Sequence, residues 1–246
     1  MKIGQEIRRF ARCGSTMDEA RILARAGADE GLIVVADEQT AGRGTKGRVW
    51  HSPPGAGLYA TVLLRPASGP TLVPLTVGIA VREAAAETAP DVRLKWPNDL
   101  VWEGRKIAGI LCEGEADGHG SRFVLAGIGI NVGQAPGDFP PELEARSASL
   151  RMAAGRPVDR EAVLARLCGA LETWYNILIR GAGEEIVREF EAGMIFAHGD
   201  KISLDAAGTR IEGTYLGLDA SGGLVCGTAE GRKTYYSAEV GAPGLG

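Results

Sequence analysis

Gly42-Arg43-Gly44-Thr45-Lys46-Gly47-Arg48, set between the apolar runs 31–36 and 58–64, is the stretch on which the fold of this chain turns. Its glycines match the spacing G-x-G-x-x-G, which in a dinucleotide-binding unit closes a strand and opens a helix, with an acidic residue about twenty positions later. Here Pro53 and Pro54 follow instead. Consecutive prolines forbid a regular helix, and residues 58–64 resume as an apolar strand. The loop therefore joins two strands, which removes the dinucleotide reading. A Walker A loop fails as well, because no lysine followed by serine or threonine comes after the second glycine. A merely basic surface loop would explain the charge. It would not explain why Arg43, Lys46 and Arg48 are interleaved with glycines whose unblocked N–H groups can converge with them on phosphate oxygens.

Outward from the loop, Ser15-Thr16-Met17-Asp18-Glu19 opens a helix, with Thr16 and Glu19 at capping-box spacing. A second helix starts at Pro74, carries Val77, Val81, Ala84 and Ala85 on one side, and ends near Pro90. The pattern predicts strands at 92–96, 100–102, 106–112 and 123–128. Asp159 is expected to cap a helix with Val163, Leu167, Leu171, Trp174 and Leu178 on one face, and another helix covers 184–192. From about Gly199 the texture becomes short strands, 201–204, 209–216, 224–227 and 233–236, separated by turn clusters at 206–208 and 219–223. The expected class is α+β with a mixed, largely antiparallel sheet: a larger domain over 1–196, which the resemblance below makes the catalytic one, and a small β-barrel or sandwich over 197–246.

The 246 residues are 45% hydrophobic and 24% charged, with a formal net charge of −4. Such a balance gives no general basic field, so binding nucleic acid through overall electrostatics is disfavoured and any anion site is local. Cys13, Cys112, Cys168 and Cys226 form no C-x-x-C pair, and His51, His119 and His198 are equally dispersed. This spacing fits reduced thiols better than a disulfide framework or a zinc site. There is no signal-like leader and no apolar run of about 18 residues, so the expected location is the cytoplasm, away from membranes.

Three further segments carry chemistry. In Lys95-Trp96-Pro97-Asn98-Asp99-Leu100 the acid Asp99 lies near the phosphate loop, the usual way to hold Mg2+ while substrate phosphates complete its shell. Arg105-Lys106-Ile107-Ala108-Gly109-Ile110 presents a lysine at a strand start. Gly127-Ile128-Gly129-Ile130-Asn131 alternates glycine along a strand, which signals close approach to the backbone.

Taken in order with Ser15-Thr16, Gln39 to Gly44, and Gly47-Arg48 with Trp50, these segments make the chain resemble the biotin–protein ligases (biotin–[acetyl-CoA-carboxylase] ligases). The similarity runs from Ser15 into the C-terminal strands, and the ordered set is far more specific than any one motif. It implies a class II synthetase-like ligase domain followed by an SH3-like barrel. It also implies a reaction in which biotin and ATP give biotinoyl-5′-AMP, and the acyl group then passes to a lysine of a biotin carboxyl carrier protein, without a covalent enzyme intermediate or a tightly bound prosthetic group.

On this resemblance Lys106, Arg48 and Arg43 are the catalytic residues, Lys106 bridging the carboxylate and the α-phosphate. Biotin falls to Ser15, Thr16, Met17, Gln39, Gly42, Arg43, Gly44, Thr45, Lys106, Gly109, Gly127 and Gly129. ATP and the adenylate fall to Arg43, Gly44, Thr45, Lys46, Arg48, Trp50, Asn98 and Asn131, with Trp50 stacking on adenine, and Mg2+ falls to Asp99. Two positions depart from the family pattern: Met17 replaces the asparagine of S-T-N, and Thr45 stands where many relatives carry arginine, which points to looser retention of the adenylate. The implied partner is the biotin carrier domain of acetyl-CoA carboxylase or a related carboxylase, and a homodimer is among the assemblies relatives adopt. The rival readings are a lipoate or octanoate ligase of related fold and a noncatalytic biotin-binding regulator. A ligase-repressor is disfavoured, because fourteen residues before Ser15 cannot form a helix-turn-helix.

Overall fold

The run 31–36 does form a strand, and its position is explained by what covers it. The computed structural model describes residues 2–116, 122–206 and 208–241; His119 and Ala207, part of the readings above, lie outside them, as does the end of the 197–246 segment. Seven strands, β1 (Ile7–Phe10), β2 (Ile33–Ala36), β3 (Gly57–Leu64), β4 (Arg93–Lys95), β5 (Asp99–Trp102), β6 (Arg105–Ala116) and β7 (Arg122–Asn131), pair in the order β1-β2-β3-β7-β6-β5-β4. The β1–β2 pair is parallel and the other neighbours are antiparallel. Every residue of β2 and β3 is buried. Both faces of these strands are therefore covered, which is why the sequence reads as continuous apolar runs without alternation.

The covering layers follow the two-residue period of β3. Leu58, Ala60, Val62 and Leu64 face the main core, built with α2 (Val73–Ala86) and α5 (Arg160–Ile179). Leu63 faces a smaller core under α1 (Thr16–Arg25), together with Met17, Ala20, Ala24 and Val34. The α2 helix has Pro74 in its first turn, and Asp159 caps α5 by accepting the Glu161 N–H at 2.9 Å. Trp174 departs from the expected buried face: it is only partly covered and its Nε1 donates to Glu83 at 2.7 Å.

Helix α1 begins one residue earlier than the capping-box spacing indicates. Ser15 is the N-cap, in extended backbone, with its hydroxyl accepting from Met17 N at 3.3 Å. Thr16 is thus the first helical residue, and its side chain is free for another task.

Two short helices, α3 (Pro141–Glu144) and α4 (Leu150–Ala154), lie between β7 and α5, and α6 (Gly183–Gly193) follows α5. A second sheet, entirely antiparallel, contains β8 (Lys201–Ala206), β9 (Thr209–Leu218), β10 (Leu224–Thr228), β11 (Gly231–Tyr235) and β12 (Glu239–Gly241) in the order β11-β10-β9-β8-β12. It is tied to the rest by Trp96, 2% exposed, whose Nε1 donates to Gly222 O at 2.9 Å, and by Tyr215, whose hydroxyl donates to Glu191 of α6 at 2.8 Å. The architecture is mixed α+β with a second C-terminal sheet. Among the described residues no helix is long and apolar enough to cross a membrane.

Candidate active site

The floor of the principal cleft is a place where the sheet lacks side chains. Gly109 of β6 pairs with Gly129 of β7, and Leu111 pairs with Gly127. A Cβ on Gly129 would fall 2.4 Å from Cε2 of Trp50, one on Gly127 would fall 2.8 Å from Sδ of Met17, and one on Gly109 would meet Lys106 and Trp50 at 3.0 Å. The indole and the thioether therefore rest directly on backbone, as the alternating glycines indicated. The cleft, its mouth included, has a volume of about 440 Å³.

One end is polar and already organised. Gln39 Oε1 accepts from Thr16 N at 2.8 Å and Thr16 Oγ1 at 3.1 Å, and Gln39 Nε2 donates to Ser52 Oγ at 3.0 Å. Thr61 of β3 donates to Thr16 Oγ1 at 2.8 Å. This chain of hydrogen bonds fixes each group by its neighbour in a nearly buried setting. Ser15, Thr16, Met17 and Gln39 converge here as expected; Ser52 and Thr61 were not anticipated, since nothing local in the sequence distinguishes them.

The other end is cationic. Lys106 Nζ lies 2.6 Å from Asp99 Oδ1 and 5.4 Å from the centre of the Trp50 ring. Arg43 reaches the same cleft from the glycine loop, with its guanidinium forked on Asp18 of α1: Nη1 to Oδ2 at 2.8 Å and Nη2 to Oδ1 at 2.9 Å. Hydrogen bonding from Arg43 is the leading reason that the Asp18 carboxyl is held below its usual range. Asp18 also takes Arg21, which in turn holds Glu113 and Glu115 of β6.

The loop folds back on itself through Gly44 N to Arg48 O at 2.7 Å and Trp50 N to Gly42 O at 2.9 Å. This turn places Lys46, a non-glycine residue, at φ 58°.

The loop cations do not all gather at one point. Lys46 and Arg48 line an adjoining cavity with Asp99 and Lys106, and both meet Glu239 of β12, Arg48 Nη1 at 2.7 Å and Lys46 Nζ at 3.7 Å. Thr45 also restrains Arg48, its Oγ1 accepting from Nη2 at 3.0 Å. A third cavity, with an apolar wall of Val49, Trp50, Phe139 and Leu143, has a volume of about 730 Å³ with its open mouth included and also adjoins Lys106. Asn131 lines it, but its amide is spent on structure, donating to Ala148 O at 3.0 Å. Asn98 lines the principal cleft and donates to Ile110 O at 2.7 Å. Lys106 and Thr45 line all three spaces, and Lys106 is the charged side chain that all three share.

Trp50 Nε1 is buried and has no hydrogen-bond partner among the described residues. No group of three His, Cys, Asp or Glu side chains capable of holding a metal occurs among them either. Asp99 is the carboxylate paired with Lys106, and a single carboxylate suits Mg2+ when substrate phosphates supply other ligands. Neither Cys13 nor Cys112 lines the cleft, and burial pushes their thiols up to about 11 and about 12, so neither offers a thiolate nucleophile at neutral pH. What the arrangement can do is hold an apolar ring with a polar head on the glycine floor. Its carboxylate would then face Lys106, beside cavities suited to a nucleotide.

Residues 10–131 match the model of the Biotin/lipoate A/B protein ligase family. The chain is 39% identical to the bifunctional ligase/repressor BirA of Bacillus subtilis over 92% of its own length and 70% of that protein. It is 33% identical to the biotin–[acetyl-CoA-carboxylase] ligase of Paracoccus denitrificans, covering 94% of this chain and 98% of the other. Among solved structures, the biotin protein ligase of Aquifex aeolicus in complex with biotin and ATP superposes with a TM-score of 0.81 at 30% identity, over 96% of this chain and 98% of that one. With the glycine-floored cleft, its polar head group and Lys106 in place, the chain belongs to the biotin–protein ligase family and is a biotin ligase.

Proposed function

We propose that this chain activates biotin with ATP to biotinoyl-5′-AMP, releasing pyrophosphate, and transfers the acyl group to a lysine of a biotin carboxyl carrier protein of acetyl-CoA carboxylase or a related carboxylase. The observation that carries this reading is the position of Lys106, one ammonium shared by the glycine-floored cleft and by both adjoining cavities. A compact ammonium there can contact a carboxylate from one side and an α-phosphate from the other, which orients the attack and offsets charge developing at phosphorus.

The ureido ring of biotin would bind at the Ser15, Thr16 and Gln39 end, and the valeryl chain would run over Gly127, Gly129 and Gly109 beside Met17. Arg43 would assist Lys106 at the carboxylate. Trp50 and the Phe139–Leu143 wall would hold adenine, with Arg48 and Lys46 at the phosphates. Asp99 would hold Mg2+, which supplies charge neutralisation on the phosphates when bound. Residues 1–196 would constitute the catalytic domain and 197–246 an SH3-like β domain, and the reaction would take place in the cytoplasm.

Exchange of labelled pyrophosphate into ATP tests the reading directly. The expected result is exchange that depends on biotin, followed by labelling of a carrier-domain lysine. Exchange with lipoate or octanoate and none with biotin would overturn it.

A further inference from the structure

Asp18 sits outside the proposed substrate contacts, yet it governs how the loop arginine is presented. We propose that Asp18 is a positioning residue for adenylation, aiming Arg43 into the cleft; this rests on the assignment of Arg43 to substrate in the preceding section.

The geometry is specific. Asp18 lies in the first turn of α1, directly after the residues that form the polar end of the cleft. Both its oxygens are used by both terminal nitrogens of Arg43, at 2.8 and 2.9 Å. This two-point fork fixes the plane of the guanidinium as well as its place, which a single contact to a point charge would not do. Asp18 is itself held. Arg21 Nη1 donates to its Oδ1 at 2.5 Å, while the other nitrogens of Arg21 bind Glu113 and Glu115 on β6, the strand that also carries Lys106 and Gly109.

The cations on the two sides of the cleft are thus referenced to one rigid frame. Lys106 is built into β6. Arg43 is on a loop, and it is registered to β6 through Asp18 and Arg21. The inner cluster of Arg21, Arg43, Asp18 and Glu113 is charge-balanced, so its contacts act mainly through direction. Without Asp18 the guanidinium must be immobilised anew at each encounter with substrate, a cost met in the transition state as well as in binding.

The test is a double-mutant cycle read by biotin-dependent pyrophosphate exchange, with thermal unfolding measured beside it. Asp18→Asn keeps the shape and one acceptor but loses the fork and the charge. In the parent background it should lower kcat/KM about tenfold, with kcat falling along with any change in KM. In an Arg43→Ala background the same change should have less than a twofold effect. Equal effects in both backgrounds would overturn the inference, because a merely structural role in α1 would act whether or not Arg43 is present. Full activity of Asp18→Asn in the parent would overturn it too. Arg43→Ala alone separates this from the underlying reading: if it is fully active, the substrate role of Arg43 falls, whereas if it is impaired and Asp18→Asn is not coupled to it, only the positioning role falls.

Discussion

Gly129→Ala adds one methyl group at the closest approach in the cleft. That Cβ would lie 2.4 Å from Cε2 and 2.5 Å from Nε1 of Trp50, where ordinary contact begins at 3.4 Å, so the indole has to retreat by about 1 Å. A fixed core would absorb such overpacking at about 1–3 kcal/mol of stability. Trp50 is carried by the glycine loop and is only half-buried, so it can yield instead. Its yielding moves the wall shared by the cleft and the third cavity. Misplacement of a substrate-positioning group by about 1 Å costs on the order of 100-fold in rate.

The expected outcome is therefore a fall of about 100-fold in kcat/KM for biotin-dependent pyrophosphate exchange, with only a small change in thermal unfolding. Two glycines on the neighbouring strand β6 calibrate the argument. Gly109→Ala meets the end of Lys106 and Trp50 at 3.0 Å and should be milder, and Gly114→Ala meets nothing within 4 Å and should leave the rate unchanged. The reasoning is refuted if Gly129→Ala retains activity within threefold of the parent, or if Gly114→Ala is the more damaging of the pair.

Other consequences can be checked with the same assays. Lys106→Ala should lower adenylate formation at least about 100-fold with the fold intact, judged by circular dichroism and unfolding temperature; near-normal exchange would remove its bridging role. Thr45→Arg adds a cation beside Arg48 and should slow release of biotinoyl-AMP by about tenfold in a single-turnover trapping assay, and equal release rates would reject Thr45 as the source of leakage. Arg21→Gln should destabilise by about 1 kcal/mol at neutral pH, the value being modest because the ion pairs are partly solvated. Asp18 and Glu115 are held below their usual ranges, Asp18 chiefly by Arg43 and Glu115 chiefly by Arg21. A lowered folded-state value stabilises above the ordinary carboxylate range and is lost as pH falls through it. The gap in unfolding temperature between Arg21→Gln and the parent should accordingly narrow from pH 7 toward pH 3, and a constant gap would contradict this.

The strand-loop-strand reading of residues 31–64 needed only prolines, glycines and apolar runs, and these are local signals. The helices behind Pro74 and Asp159 were legible for the same reason, since both carry terminal signatures and long periodic faces. β1, β12, α3 and α4 are three to five residues long, too short for a period to register, and they exist because longer elements hold them. The start of α1 was misplaced by one residue because two adjacent hydroxyls could each cap it. The one that lost, Thr16, had a partner in Gln39 that only the folded chain brings near. Ser52, Thr61, Phe139, Leu143 and Glu239 escaped for that reason too: each reaches the site across the fold from a segment with no marking of its own. The roles assigned to Lys106 and the glycines came from motif order. What the fold adds is that Lys46 and Arg48 turn toward Glu239 while Arg43 turns toward Asp18.

The facing pair Gly109 and Gly129 has one more implication. A recess made by omitting side chains from the middle of a hydrogen-bonded sheet is as stiff as the sheet, so its depth does not depend on a hinge or a closing loop. Ligands longer than the recess meet a floor that does not give and can displace only the Trp50 wall, and a shorter acid leaves a void over the glycines. Selection among related acids can then act through length and ring width. Enlarging the range of accepted acids would require rebuilding Met17 or Trp50, the two side chains lying on the glycines, or trimming Leu111, which β6 carries opposite Gly127.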